Sequence, residues 1–220
     1  IQEHPSFSAF FVRRLAGGAR PIDADPCALV SPCDGRVQDI GLVERGSLLQ
    51  AKGQRYTLSE LCAGSVDVGA WEGAMAWTIY LSPKDYHRVH SPEAARLCSV
   101  RWIDGAHHSV APSVVARRLV FPKNERCVLA LESAHGPLLI VMVGARNVSR
   151  IRVVGVEPRH AGALDRPRTL ARGEELARFE LGSTIVLLTA PERARPSPTL
   201  VPGLAVRLGE PIGRWEGEAR

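Results

Sequence analysis

The chain has 220 residues, 45% of them hydrophobic, enough for one domain with a sizeable core. Its longest clean apolar run, Leu138 to Val143, is far too short to span a bilayer as a helix, and no signal peptide is visible at its start. Five cysteines, at 27, 33, 62, 98 and 127, are odd in number and irregularly spaced, which fits reduced thiols rather than a disulfide framework. The net charge is +5, carried by 25 Arg and three Lys. Solubility alone accounts for such a balance, and attraction to an anionic membrane surface is the functional alternative. Nucleic acid is not expected, because no basic helix or aromatic-basic motif appears.

In chain order, residues 7–16 read as a short helix with Phe7, Phe10, Phe11 and Leu15 on one face, ended by Gly17-Gly18. That face is expected to pack on the core, with a membrane-touching face as the alternative. Ser31-Pro32-Cys33-Asp34-Gly35 is turn chemistry, and a strand follows over Arg36–Leu42. Asp34 reads either as a turn residue or as a carboxylate that orients a histidine. A strand is expected over Ser47–Ala51, and Thr57-Leu58-Ser59-Glu60 is a capping box for a short helix ending near Gly64.

After a strand over Ala76–Leu81, Ser82 is expected to cap a helical turn, with Pro83 at its first position and Asp85 three residues after the cap. Such a turn would hold His87 and His90 close together, with Arg88 between them. His-x-x-His here lacks further ligands at zinc-like spacing, so no metal is expected. His107-His108 reads as a solvated loop pair. Strands are expected over Ser99–Ile103, Cys127–Ser133 and Leu138–Val143, the last two joined by a hairpin turn at Ala134-His135-Gly136-Pro137. Asn124-Glu125-Arg126 reads as the polar start of the first of these two. Further strands are expected over Arg150–Val156, Ile185–Leu188 and Leu204–Leu208, with 158–180 as a polar surface connection. The pattern is α+β and mostly β: antiparallel sheets around one core, with a few short helices.

Leu181-Gly182-Ser183-Thr184 ends a charged stretch and opens the apolar run Ile185-Val186-Leu187-Leu188. Gly-Ser is a bond that some proteins cut in themselves. The serine hydroxyl attacks the preceding carbonyl, the amide becomes an ester, and β-elimination followed by hydrolysis leaves a pyruvoyl group. Gly182 suits the attack because it lacks a Cβ. Alone, the pair reads as an ordinary loop entering a strand.

Taken together, these segments resemble the phosphatidylserine decarboxylase family. The likeness runs from about Phe7 to Leu188 and rests on motifs in one order. They are Phe10-Phe11-Val12-Arg13-Arg14-Leu15 with Gly18-Ala19-Arg20-Pro21-Ile22-Asp23, Ser31-Pro32-Cys33-Asp34-Gly35-Arg36-Val37, Asp85-Tyr86-His87-Arg88-Val89-His90-Ser91-Pro92, Asn124-Glu125-Arg126, Val143-Gly144-Ala145, Arg172-Gly173-Glu174-Glu175 and Leu181-Gly182-Ser183-Thr184. The chain departs from the family pattern at Cys33, at Arg172, at Asn147-Val148-Ser149 and at Leu176-Ala177-Arg178. It starts at Ile1, where family members usually carry additional residues.

The resemblance implies a single domain over 1–220 that cuts itself between Gly182 and Ser183, leaving a β chain (1–182) and an α chain (183–220) that stay associated. It implies a covalent pyruvoyl cofactor formed from Ser183. The amine of phosphatidylserine condenses with that ketone as a Schiff base, carbon dioxide leaves, and phosphatidylethanolamine is released. Asp34, His90 and Ser183 are expected to form the cleavage triad, by the logic of serine hydrolases. His87 is the close competitor as base. Its preferred role is handling of the substrate carboxylate or proton transfer during decarboxylation. Arg88 is expected to bind substrate phosphate or carboxylate. The protein would work peripherally at the cytoplasmic side of the cell membrane, against an anionic surface, with a homodimer left open. Pyridoxal phosphate is not expected, since none of Lys52, Lys84 and Lys123 sits in a recognisable cofactor motif. The alternatives are a pyruvoyl decarboxylase of a different small amine, an uncleaved lipid-binding homologue, and a serine hydrolase using Asp34, His90 and Ser183.

Overall fold

A computed structural model describes residues 6–51, 54–145, 151–180 and 183–217. Three short helices are present among them: α1 (Phe7–Phe11), α2 (Leu58–Cys62) and α3 (Pro112–Val115). The rest of the regular structure is mostly strand. In chain order the strands are β1 (Ala28–Val30), β2 (Gly35–Leu42), β3 (Ser47–Ala51), β4 (Gln54–Thr57), β5 (Met75–Leu81), β6 (Arg88–His90), β7 (Ala95–Ile103) and β8 (Arg126–Ser133). They continue with β9 (Gly136–Gly144), β10 (Ile151–Val153), β11 (Ala161–Leu170), β12 (Glu175–Phe179), β13 (Ser183–Thr189), β14 (Ala194–Pro196), β15 (Ala205–Val206) and β16 (Pro211–Trp215). The fold is therefore mostly β within α+β, as expected.

Eight strands make the main sheet, in the order β11-β7-β8-β9-β13-β5-β2-β15, and every pairing in it is antiparallel. Two three-stranded sheets, β10-β12-β6 and β1-β16-β14, and the β3-β4 hairpin complete the set. Because side chains alternate along a strand, β13 and β5 feed two apolar layers, one on each face. Ile185, Leu187, Ile79 and Leu81 pack with Val89, Leu176 and Phe179. Val186, Leu188 and Ala76 pack on the other side with Leu58, Leu61 and Phe121. The expected single core is thus split by the sheet.

The Thr57 capping box forms as read: Thr57 Oγ1 accepts from Glu60 N and the Glu60 carboxylate accepts from Thr57 N. Two expectations are corrected. Residues 158–180 are not simply a surface connection: β11 closes one edge of the main sheet and β12 sits at the centre of a side sheet. Around His87 the chain is a turn followed by strand β6, not a helical turn.

Candidate active site

Ser183 opens β13 in the middle of the main sheet, opposite Leu81 of β5 and Gly144 of β9. Residues directly opposite in an antiparallel pair project to the same face, so Ser183 points with Leu81 toward the layer that holds β6 and β12. Its hydroxyl is fully buried and has no hydrogen-bond partner among the described residues. A buried unpaired hydroxyl is costly, on the order of 1–3 kcal/mol, and such cost is a recurrent mark of a reacting group. Leu181 and Gly182, including the expected cleavage partner, lie outside the described residues, as do Asn147, Val148 and Ser149.

The Ser82–His90 segment is shaped by Asp85, whose carboxylate accepts from Ser82 N and Ser82 Oγ, both at 2.7 Å. The tight turn releases the chain into β6 with His87 and His90 three residues apart. In extended chain that odd spacing sends them to different surroundings. His87 is fully buried, its Nε2 3.0 Å from Ser82 O. A carbonyl only accepts, so Nε2 carries the proton and Nδ1 holds the lone pair. That Nδ1 is buried with no partner among the described residues. Burial is the main cause that pushes the imidazole down from 6.5 to about 4, so it is neutral at pH 7.

His90 is held at both ends. Its Nδ1 lies 2.9 Å from Gly173 O, which fixes the proton there, and its Nε2 lies 3.1 Å from the Tyr86 hydroxyl, which must donate. Burial again lowers the imidazole below its ordinary value. Gly173 can present its carbonyl because the loop before β12 turns through a left-handed conformation (φ 77°), where a Cβ would also strike Ile22. Backbone bonds from Gly173 N to Ser91 O and from Ser91 N to Glu174 O lock that loop beside β6.

Asp34 is brought next to β6 by the bond from His90 N to Pro32 O, 2.8 Å. It does not hydrogen-bond to His90. Its carboxylate accepts from Arg20 Nε at 2.9 Å, from Arg20 Nη2 at 2.6 Å and from Leu208 N at 2.9 Å. Its effect on His90 is through-space, a minor charge contribution favouring the imidazolium. Arg88 also differs from expectation. Its guanidinium is buried and committed to Glu175 (2.6 and 2.8 Å), Val12 O and Arg13 O, so it is occupied within the protein rather than presented to a ligand.

Asn124-Glu125-Arg126 is buried throughout. Asn124 Nδ2 donates to Gly144 O at 2.8 Å, bracing the ladder partner of Ser183, and Arg126 caps the carbonyls of Leu61 and Glu60 beneath α2. His107 and His108 are exposed, yet they close on this segment: His107 Nε2 approaches the Glu125 carboxylate at 3.4 Å and His108 N donates to Asn124 Oδ1. Arg20, Tyr86 and Gly173 were not read from the sequence as site residues. The available signal was that a carboxylate buried at Asp34 demands a cation, and Arg20 lies in a quoted motif.

The family described as phosphatidylserine decarboxylase matches residues 7–214. Curated relatives bear the name phosphatidylserine decarboxylase proenzyme. That of Halorhodospira halophila is 45% identical over 219 residues, covering 96% of this chain and 75% of that protein. That of Xanthomonas euvesicatoria pv. vesicatoria is 40% identical over 221 residues, covering 96% and 79%. That of Stutzerimonas stutzeri is 40% identical over 222 residues, covering 94% and 74%. Matches of this depth extend over both histidines, Asp34 and Ser183, and on them the chain belongs to the phosphatidylserine decarboxylase family.

Proposed function

We propose that this protein cleaves itself between Gly182 and Ser183 and then decarboxylates phosphatidylserine to phosphatidylethanolamine at a membrane surface. The observation that carries the reading is the buried, unpartnered Ser183 hydroxyl at the head of a central strand. Relatives named as proenzymes of this activity support it. Ser183 Oγ would attack the Gly182 carbonyl, passing its proton to a neutral histidine, which returns it to the Ser183 nitrogen as the Gly182–Ser183 C–N bond breaks and the amide becomes an ester. The ester then loses the Gly182 carboxylate by elimination, and hydrolysis with loss of ammonia leaves a pyruvoyl group on residue 183. When formed, that group supplies an electrophilic ketone and an electron sink for decarboxylation.

We assign His90 and Asp34 to cleavage. His90 Nε2 must then leave the Tyr86 hydroxyl, and Asp34 supports the developing imidazolium by charge across a gap. We assign His87, neutral and with Nδ1 unpartnered, to proton handling in decarboxylation. Cleavage would leave β13 held by ladders to both β9 and β5, which supports lasting association of the two chains. We place the protein at the cytoplasmic face of the membrane, a reading supported by the lipid substrate and by the net positive charge, which favours an anionic surface.

The test is the intact mass of denatured protein, with turnover of phosphatidylserine in detergent and of free serine. Two chains split at residue 183, the smaller lighter by one ammonia than a peptide beginning with Ser, with turnover of the lipid alone, is the expected result. Ser183→Ala should stay one chain. An intact wild-type chain that still binds liposomes would replace the enzyme reading with a lipid-binding one.

A further inference from the structure

The N-terminal segment lies across the Ser82–His90 segment and is fastened to it from both sides. Arg13 Nη2 donates to Lys84 O at 3.1 Å. In return, Arg88 Nε and Nη2 donate to Val12 O at 3.1 and 2.7 Å. The Arg13 guanidinium rests over the Phe10 ring, 4.6 Å from its centroid. Between these ties the Phe11 ring stacks on the His87 imidazole, centroids 3.8 Å apart and planes 22° apart, and both residues are fully buried. His87 therefore has one nitrogen bound to Ser82 O, the other unpartnered, and one face covered by an aromatic ring from a distant part of the chain.

We propose that Phe11 is a positioning residue for His87: the N-terminal strap is a wall of the active site that fixes the imidazole plane and shields one of its faces from water. The inference rests on the assignment of His87 to decarboxylation. Two charged groups bear on the ring, Asp85 from its own segment and Arg13 from the strap, and they act in opposite directions. Asp85 is already bound to Ser82, and Arg13 to Lys84 O. Burial outweighs both, and Phe11 contributes to it by covering one ring face. Removing that ring should admit water, make protonation of His87 easier and let the imidazole rotate.

The experiment follows the His87 ring by nitrogen-15 NMR titration in Phe11→Ala and Phe11→Leu, with the resonance assigned by its loss in His87→Gln. Turnover of phosphatidylserine is measured per mole of cleaved chain. In Phe11→Ala the His87 titration should rise by about one pH unit or more. The acid limb of kcat should move with it, and kcat should fall about tenfold with KM little changed. Phe11→Leu, which keeps an apolar cover without the stack, should lie between. A His87 titration and kcat like wild type in both variants would overturn the proposal while leaving the function reading intact. Wild-type turnover in His87→Gln would overturn the decarboxylation role and this proposal with it.

Discussion

The Arg88 guanidinium meets four acceptors, both oxygens of Glu175 and the carbonyls of Val12 and Arg13. Its side chain is 9% exposed and that of Glu175 19%. Removing Arg88 would leave the part-buried Glu175 with only Arg14 at 4.0 Å and Arg178 at 3.9 Å among the described residues, a loss on the order of 1–3 kcal/mol. Arg88→Ala should therefore lower the urea midpoint strongly, and Arg88→Lys should recover only part, since an ammonium does not fork across a carboxylate. A variant with unchanged stability and a raised KM would restore the substrate-binding role. Asp34, His87, His90 and Ser183 could be singled out as candidates because each sits inside a contiguous motif. Their partners could not. Arg20 lies 14 residues from Asp34, and Gly173 lies 83 from His90 and offers only a backbone carbonyl, which has no side-chain signature. Arg88 shows the same gap from the other side: the motif marks the residue, but only the fold reveals that its acceptors are internal.

At the level of elements, β2 runs close against β5 at Gly35, the residue after Asp34. A Cβ there would fall 2.6 Å from Tyr80 O and 2.7 Å from Ile79 Cγ2. β5 cannot retreat, because it is paired with β13 on its other side. Gly35→Ala should cost on the order of 1–3 kcal/mol through overpacking. It should also slow self-cleavage, since the displaced turn carries Asp34. Thermal melting together with the rate of chain splitting checks both, and wild-type values for both would show that the turn yields freely. Inside the main sheet, β5, β8, β9 and β13 were readable as apolar runs, whereas β7 was read only from Ser99 onward because its first residues mix arginine with apolar side chains. β11 was hidden because it is an edge strand, with Arg166, Pro167 and Arg168 at a break in its register with β7. Edge strands commonly carry charge and proline in this way, and such composition resembles a loop. β12 is only five residues long, Glu-Leu-Ala-Arg-Phe, too short and too charged for alternation to stand out. The misread turn at Ser82 has a local cause: the Asp85 carboxylate takes Ser82 N as the third residue does at a helix start, but Asp85 N bonds to Ser82 O rather than to the Ser82 hydroxyl, which closes an isolated turn.

Across the whole molecule, residues from opposite ends of the chain converge on one side of the main sheet. Asp34 receives Leu208 N, and Glu93 receives both Arg172 Nη2 and Trp215 Nε1. His135 stacks on Trp215 at 4.7 Å between ring centroids. Convergence buries histidines, and burial holds His87, His90 and His135 below the ordinary imidazole value. The sign of the consequence is fixed by which state takes up protons. Between the unfolded value of 6.5 and the folded value of about 4, unfolded His87 binds a proton that folded His87 refuses. Stability present above pH 6.5 is therefore lost progressively as pH falls toward 4, by up to about 3 kcal/mol for this residue. Glu125 and Asp39, raised by burial, act in the opposite direction and offset part of the loss. The uncleaved Ser183→Ala chain isolates the effect from processing. Its urea midpoint should fall between pH 7 and pH 5, and adding His87→Gln should flatten that slope, because glutamine can still donate to Ser82 O but cannot take the proton. A slope that survives His87→Gln unchanged would mean that His87 is wetter than its burial implies. The acid sensitivity would then belong to His90 and His135.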